Sequence, residues 1–327
     1  MSFKRAVLWA GAVIGALVVL GVVAIFAIFP RVSAAPDLKV EATPALVARG
    51  DYLFNHQLAC GACHTPELEP HRFSRVNDSA RIAAGRRMGG APEFPTDIFA
   101  PNLTPAALGD WTDGEIYRAI VSGVDRQGRP LFPVMPYPFY KSLDPEDAKA
   151  VIAYLRSLPP QPVTLPRTKL PMPLPLVMRL VPADPTPEMR PGAKNEVALG
   201  RYLAFSSSCF ECHTKRNARG EPTGIPFAGD NPFGLPGGGV ARSANITPDA
   251  ETGIGSWTRA QFIARFRAMT PEVAAKVAPE ASEIDTEMPW TAYSGMTDED
   301  LGAIYAYLRT VPPIHARVET FTPPPSK

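Results

Sequence analysis

The chain has four cysteines, and all of them fall in two copies of one pattern: Cys60-Gly61-Ala62-Cys63-His64 and Cys209-Phe210-Glu211-Cys212-His213. C-x-x-C-H is the attachment signature of c-type haem. Two cysteines one helical turn apart reach two vinyl groups on one ring edge, and the adjacent histidine ligates the iron. One match carries little weight. Two matches that use every cysteine leave none for a disulfide and predict two covalently bound haem c groups. His64 and His213 are then the candidate proximal ligands. A zinc site pooling Cys60, Cys63, Cys209 and Cys212 is the alternative, but it gives no reason for a histidine to follow both pairs directly.

Haem attachment of this kind implies export, and the N-terminus agrees. Residues 6–29 form a run of 24 apolar residues, and about 20 are enough to span a bilayer. Lys4 and Arg5 precede the run, which predicts a single N-terminal span in the inner (cytoplasmic) membrane with the remainder in the periplasm. A cleaved signal peptide is the alternative, with Val32-Ser33-Ala34 as its cleavage site. The apolar run is longer than the roughly 7–15 residues of a signal core, so an uncleaved anchor is the better reading. Gly11 and Gly15 form a small-xxx-small pair, which a glycine-rich span also produces by chance. The net charge of +1 argues against a nucleic-acid partner and against strong long-range steering of a charged one.

The two motifs belong to an internal repeat. Gly50 and Tyr52 match Gly200 and Tyr202, and Asn102-Leu103-Thr104-Pro105 matches Asn245-Ile246-Thr247-Pro248. Trp111-Thr112 matches Trp257-Thr258, Met135-Pro136-Tyr137 matches Met288-Pro289-Trp290, and Ala153-Tyr154-Leu155-Arg156 matches Ala306-Tyr307-Leu308-Arg309. The order is kept throughout, so two copies of one haem domain are expected. The expected organisation is an anchor over 1–30, a first haem domain over 40–160, a proline-rich linker over 161–191, a second haem domain over 192–315 and a tail over 316–327. Pro159 to Pro191 holds 11 prolines in 33 residues, which predicts stiff, extended chain. Leu174, Leu176, Val177, Met178 and Leu180 suggest that part of it lies against protein.

Helix signals repeat as well. Residues 44–57 and 194–205 read as helices leading into the haem motifs. Thr112 with Glu115, and Thr258 with Gln261, form capping boxes. Asp144-Pro145 starts a helix to about Leu158, and its twin runs from Thr297 to near Val311. The fold class expected is all-α with long loops.

The sixth iron ligand is selected by the repeat. Met135 and Met288 are the methionines in register, each followed by proline and an aromatic residue. Met88 is a rival without a counterpart, and Met296 aligns with Leu143, which suggests packing. His56, His71 and His315 have no partner in the other copy, which disfavours a bis-histidine site. Trp111 and Trp257 are expected to wall the haem pocket or pack in the core. Asn102 and Asn245 are expected to cap the loop or to fix pocket backbone. Tyr154 and Tyr307 are expected to pack on the first helix of each copy, where Gly50 and Gly200 permit close approach. Arg81, Arg86 and Arg87, or Lys215, Arg216 and Arg219, are either local docking patches or solvated surface.

Together the C-x-x-C-H motifs, N-[LI]-T-P, W-T, M-P-[YW] and A-Y-L-R resemble class I cytochrome c domains. More narrowly, they resemble the membrane-anchored cytochrome c subunits of bacterial periplasmic dehydrogenases of the alcohol, gluconate and aldehyde types. The resemblance covers residues 44–158 and 194–313. It implies a helical fold around each haem and axial pairs of His64 with Met135 and His213 with Met288. Many such subunits carry three haems and a C-terminal anchor, whereas this chain has two motifs and an N-terminal apolar run. The resemblance implies an electron carrier rather than an enzyme. Its donor would be a periplasmic dehydrogenase or respiratory complex, and its acceptor a soluble cytochrome or terminal oxidase. The rival class is a dihaem peroxidase or thiosulfate-oxidising cytochrome. The symmetric methionines and the lack of an acid–base pair beside either motif argue against it.

Overall fold

The computed structural model describes residues 3–66, 83–88, 96–217, 221–235, 239–274, 276 and 286–323. His71, Arg81, Arg219 and residues 324–327 of the tail lie outside the described residues.

The elements follow the repeat. After α1 (Phe3–Ile28), the first copy opens with α2 (Pro44–Tyr52), where Thr43 accepts a hydrogen bond from the Leu46 amide and Pro44 presets the first helical φ. A π-helical turn, Leu53–Gln57, continues α2 to the first haem motif, which is itself α3 (Cys60–His64). β1 (Arg86–Met88), β2 (Ile98–Ala100), α4 (Pro105–Leu108), α5 (Asp113–Ser122), α6 (Tyr137–Tyr140) and α7 (Pro145–Ser157) complete this copy. The linker contains α8 (Leu174–Met178). The second copy holds α9 (Glu196–Ser206), α10 (Cys209–Cys212), β3 (Pro232–Gly234), β4 (Val240–Arg242), α11 (Arg259–Arg267), α12 (Pro271–Ala274), α13 (Trp290–Tyr293), α14 (Asp298–Leu308) and β5 (Phe321–Thr322). Helices dominate, as expected. The additions are an antiparallel β1–β2 pair and a β3–β4–β5 sheet of two- and three-residue strands. Both capping boxes form, on α5 and α11. Asp144 caps α7 through the Glu146 amide, and Thr297 caps α14 through that of Asp300. α14 ends at Leu308, three residues short of the expected Val311.

The chain forms two compact units. One comprises Met1–Lys39, Thr112–Lys141 and Leu170–Thr186. Among the described residues, α1 is the helix long and apolar enough to cross a membrane. Where it ends, the Arg179 guanidinium donates to the Phe26 carbonyl at 3.3 Å and lies 4.8 Å above the Phe26 ring. The Ser33 amide and hydroxyl both donate to Asp184, at 2.7 and 3.0 Å. The linker therefore departs from a purely extended spacer, because it contains the single turn α8. Pro175 fits in the first turn, whose amides have no intrahelical partner. Of the apolar linker residues Met178 is buried, whereas Val177 and Leu180 are each 52% exposed. In the same unit Gly123 ends α5 at φ 71°, with the Tyr137 ring 2.4 Å from where a Cβ would sit.

The second unit comprises Val40–Trp111, Ser142–Lys169 and Pro187–Lys327. Here α2 crosses α7 and α9 crosses α14, two versions of one packing. Gly50 sits at the first crossing, and a Cβ there would lie 1.9 Å from the Ala150 carbonyl oxygen. Gly200 sits at the second, where it would lie 1.8 Å from that of Ala303. Tyr154 and Tyr307 pack beside these glycines, as the sequence suggests. Leu53, Phe54, Val151 and Ile152 are buried in one copy, and Leu199, Leu203, Leu301 and Ile304 in the other.

The two crossings are tied together reciprocally. The Tyr52 hydroxyl, from the first copy, donates to Asp300 Oδ2 at 2.6 Å and accepts from the Thr297 amide at 3.2 Å. The Tyr202 hydroxyl, from the second copy, donates to Asp147 Oδ2 at 3.0 Å and accepts from the Asp144 amide at 3.1 Å. Tyr52 and Tyr202 are repeat equivalents, as are Asp147 and Asp300. Each tyrosine thus holds the start of the other copy's last helix. Near the centre, Gln57 donates to its own repeat equivalent, Ser206. Arg49 pairs with Asp147 at 2.8 Å, and Arg190, at the end of the linker, pairs with Asp300 at 2.7 Å. Burial first, then the Asp300 carboxylate, pushes the Tyr52 hydroxyl up to about 12. Burial and Asp147 push Tyr202 up further. Both hydroxyls therefore stay protonated donors across the physiological range.

Candidate haem-attachment sites

Each haem motif follows a residue forced into the left-handed region, Ala59 at φ 50° and Ser208 at φ 58°. This conformation is uncommon for residues with a side chain. It ends the preceding helix sharply and starts the short turn that carries both cysteines. None of the four cysteines is in a disulfide, and all four are half-buried. Burial pushes Cys60 and Cys209 up to about 12, so they are neutral thiols here. Among the described residues no three His, Cys, Asp or Glu side chains cluster as a metal site, so the cysteines are not pooled as the zinc alternative requires.

The histidines are oriented identically. His64 Nδ1 lies 2.9 Å from the Pro101 carbonyl oxygen, and His213 Nδ1 lies 2.7 Å from that of Ala244. A carbonyl oxygen only accepts, so each ring carries its proton on Nδ1 and keeps the Nε2 lone pair for a metal. Metal-binding histidines are commonly held in this way. Burial lowers His64 to about 4 and lowers His213 as well, which favours the neutral, ligating form. This donor set fits a c-type haem in both copies.

The carbonyls are fixed in turn by the residue after each of them. Asn102 Nδ2 donates to the carbonyls of Gln161 and Val163, while its Oδ1 accepts from the amide and hydroxyl of Thr104. Asn245 does the same with Ile314, Ala316 and Thr247. The backbone-fixing role expected of both asparagines is therefore realised. Asn102→Ala or Asn245→Ala is expected to remove several part-buried hydrogen bonds and to cost about 1–3 kcal/mol. Denaturant titration of the holoprotein measures this.

Several members of the site escape a reading of side chains alone. Pro101 and Ala244 act through their carbonyls. Gly85 and Gly229, at φ 77° and 78°, donate their amides to the carbonyls of His64 and His213 at 2.6 and 2.8 Å. A Cβ on either would come within about 2.5 Å of backbone, at 2.5 Å from Ala100 O and 2.4 Å from Ser243 O. The available signal was positional: Ala84-Gly85 and Ala228-Gly229 stand at a repeat offset close to that of the N-[LI]-T-P pair.

The methionines share one local geometry. The Met135 carbonyl accepts from the Tyr137 amide at 2.8 Å, and that of Met288 from the Trp290 amide at 2.7 Å. Each pair closes a three-residue turn on the intervening proline and opens α6 or α13. Both methionines are half-buried. Met135 belongs to the unit with α1, α5 and α6, whereas Met288 belongs to the unit that carries both motifs. Glu287, beside Met288, is close enough to raise the Cys212 thiol, after burial, Glu211 and Cys209.

The rivals have other partners. Met296 and Leu143 are both core residues, and Met88 lies on β1 opposite Ile98. His56 Nδ1 is 2.9 Å from the Ala292 carbonyl, and His315 faces Asp249. Trp111 and Trp257 are half-buried, and their carbonyls accept from Arg156 and Tyr305 on the last helix of the same copy. The basic clusters are partly neutralised: Arg87 pairs with Asp97, Lys215 with Asp230, and Arg216 Nε donates to the Glu211 carbonyl.

The sequence pattern of cytochrome c matches this chain twice, over residues 47–159 and 197–312. The chain belongs to the cytochrome c family. A member of this family carries covalently bound haem c. This cytochrome c is 28% identical over 288 residues to the fructose dehydrogenase cytochrome subunit of Gluconobacter japonicus, covering 83% of this chain and 55% of that one. It is 27% identical over 307 residues to the alcohol dehydrogenase (quinone) cytochrome c subunit of Gluconacetobacter polyoxogenes, covering 88% and 60%. It is 25% identical over 301 residues to the gluconate 2-dehydrogenase cytochrome c subunit of Pantoea cypripedii, covering 86% and 63%. This cytochrome c thus spans little more than half the length of these relatives.

Proposed function

We propose that this cytochrome c is the electron-carrying subunit of a membrane-bound dehydrogenase and holds two haem c groups. The observation that carries the reading is the twin Nδ1–carbonyl bond, which leaves Nε2 of both His64 and His213 available to iron. Bound haem iron would cycle between its ferrous and ferric states, accepting and passing on one electron at a time. The chain's own residues would attach each haem through Cys60 and Cys63 or Cys209 and Cys212, and would ligate its iron through His64 with Met135 or His213 with Met288. A thioether ligand favours the ferrous state and raises the potential, which suits a carrier. Repeat register and the matched proline turns support both methionines. The relatives, cytochrome subunits of fructose, alcohol and gluconate dehydrogenases, support a dehydrogenase as donor; the acceptor in this reading is a soluble cytochrome or terminal oxidase. In this reading residues 40–160 and 192–315 are the haem domains, residues 161–191 join them, and residues 316–327 form the tail. The segment 1–30 spans the cytoplasmic membrane, with Lys4 and Arg5 inside and the haem domains in the periplasm.

Two measurements test this. Alkaline pyridine spectra of the purified chain should give two haems per polypeptide, and one or none would refute the dihaem reading. Alkaline carbonate washing should leave the haem-stained chain in the membrane pellet. Its release would mean that α1 is removed or does not span.

A further inference from the structure

We propose that Tyr52 and His56 of the first copy are positioning residues for the methionine loop of the second haem site. The two residues are one helical turn apart, so they project from the same face where α2 runs into the π-helical turn. They meet the chain that follows Met288 at two places. The His56 ring donates from Nδ1 to the Ala292 carbonyl in α13, at 2.9 Å. The Tyr52 hydroxyl binds Asp300 at 2.6 Å and the Thr297 amide at 3.2 Å, at the start of α14. Between these points Gly295 packs closely against the imidazole: a Cβ there would lie 2.1 Å from the ring. From within the second copy Arg267 grips the same stretch through the carbonyls of Ser294 and Met296 and through Asp298. The segment from Pro289 to Asp300 is therefore held from both sides, and the first copy supplies one of the two sides.

The arrangement is unequal between copies. Phe205 occupies the repeat position of His56, has no ring proton to donate, and stacks on Phe210 of its own copy at 4.8 Å. Ser142 occupies the position of Gly295. The side chain at 56 and the missing side chain at 295 thus fit each other across the copies. Tyr293, at the end of the same held turn, is buried and donates to the Ser207 carbonyl at 2.5 Å. Burial raises its hydroxyl well above the usual value, and the thiols of Cys209, Cys212 and Cys63 add to the effect. Through Tyr293 the loop that presents Met288 is also tied to Ser207, two residues before Cys209. Loosening His56 should free this loop and weaken its grip on the second site while leaving the first unchanged.

The proposal rests on Met288 being the ligand, so the experiment begins with Met288→Ala in the full-length holoprotein. That variant identifies which of the two midpoint potentials belongs to the second haem. If it moves neither, the ligand assignment fails, independently of His56. His56→Ala is then expected to lower the second potential and weaken the methionine–iron charge-transfer band, with both haems still attached. Loss of this one part-buried hydrogen bond, about 1 kcal/mol, corresponds to about fivefold tighter binding of added imidazole at that haem. His56→Gln, which keeps a donor near the Ala292 carbonyl, should restore most of the wild-type value. Gly295→Ala, which pushes the loop off the ring from the other side, should act in the same direction and serves if His56→Ala does not accumulate. An unchanged second potential in both His56→Ala and Gly295→Ala, or a shift confined to the first haem, would overturn the proposal.

Discussion

Met135→Ala and Met288→Ala are each expected to lower one midpoint potential by on the order of 0.1 V or more, within the roughly 0.8 V that axial ligands span. The thioether sulfur stabilises ferrous iron, and alanine offers nothing in its place. Attachment should survive, because the thioether bonds come from cysteines in separate segments. The loops should also keep their shape, because each turn is closed by main-chain bonds around Pro136 or Pro289 rather than by the methionine side chain. Redox titration, with the mass of the intact chain to confirm both haems, gives the answer. A potential that stays put in either variant removes that methionine from the ligand set.

Gly200→Ala and Gly50→Ala should both be strongly damaging. The added carbon would stand 1.8 Å from the Ala303 oxygen or 1.9 Å from the Ala150 oxygen, far inside contact distance. The obstacle is a helix backbone, so no rotamer change relieves it and the two helices must separate. Separation would unpack Leu199, Leu203, Leu301 and Ile304 at one crossing, or Leu53, Phe54, Val151 and Ile152 at the other. Overpacking usually costs about 1–3 kcal/mol, and a collision with main chain belongs at the upper end or above it. Thermal unfolding of the holoprotein should show a clear drop for both variants and almost none for Gly192→Ala, which has open space around it. Equal midpoints for all three would mean that the crossings are looser than described.

Much of this arrangement was legible because it is local or repeated. Capping boxes announce themselves over three residues, so Thr112 with Glu115 and Thr258 with Gln261 could be placed in advance. The glycines at the crossings stood out because Gly50 and Gly200 recur in register with Tyr154 and Tyr307. What stayed hidden acts through the main chain or between copies. Any residue type can present the carbonyls that orient His64 and His213, and here proline and alanine do so. The Tyr52–Asp300 and Tyr202–Asp147 pairs join residues 248 and 55 positions apart. No spacing rule signals either pair, although each member sits in register with its twin. Arg190 looked like the end of a spacer, and only the fold brings it to Asp300. The linker's apolar residues suggested burial, but α8 is a single turn that buries Met178 and leaves Val177 and Leu180 largely exposed.

The reciprocal tyrosine–aspartate ties bear on the ancestry of the chain. A duplicated domain begins as two interchangeable modules, each complete by itself. Here the last helix of each half is seated by a hydroxyl from the other, and Asp147 and Asp300, buried at 7% and 4% side-chain exposure, would each lose that hydroxyl if the halves were parted. Arg190 comes from the stretch where a protein engineer would choose to cut. The two copies have lost the independence of separate modules and are expected to unfold as one part.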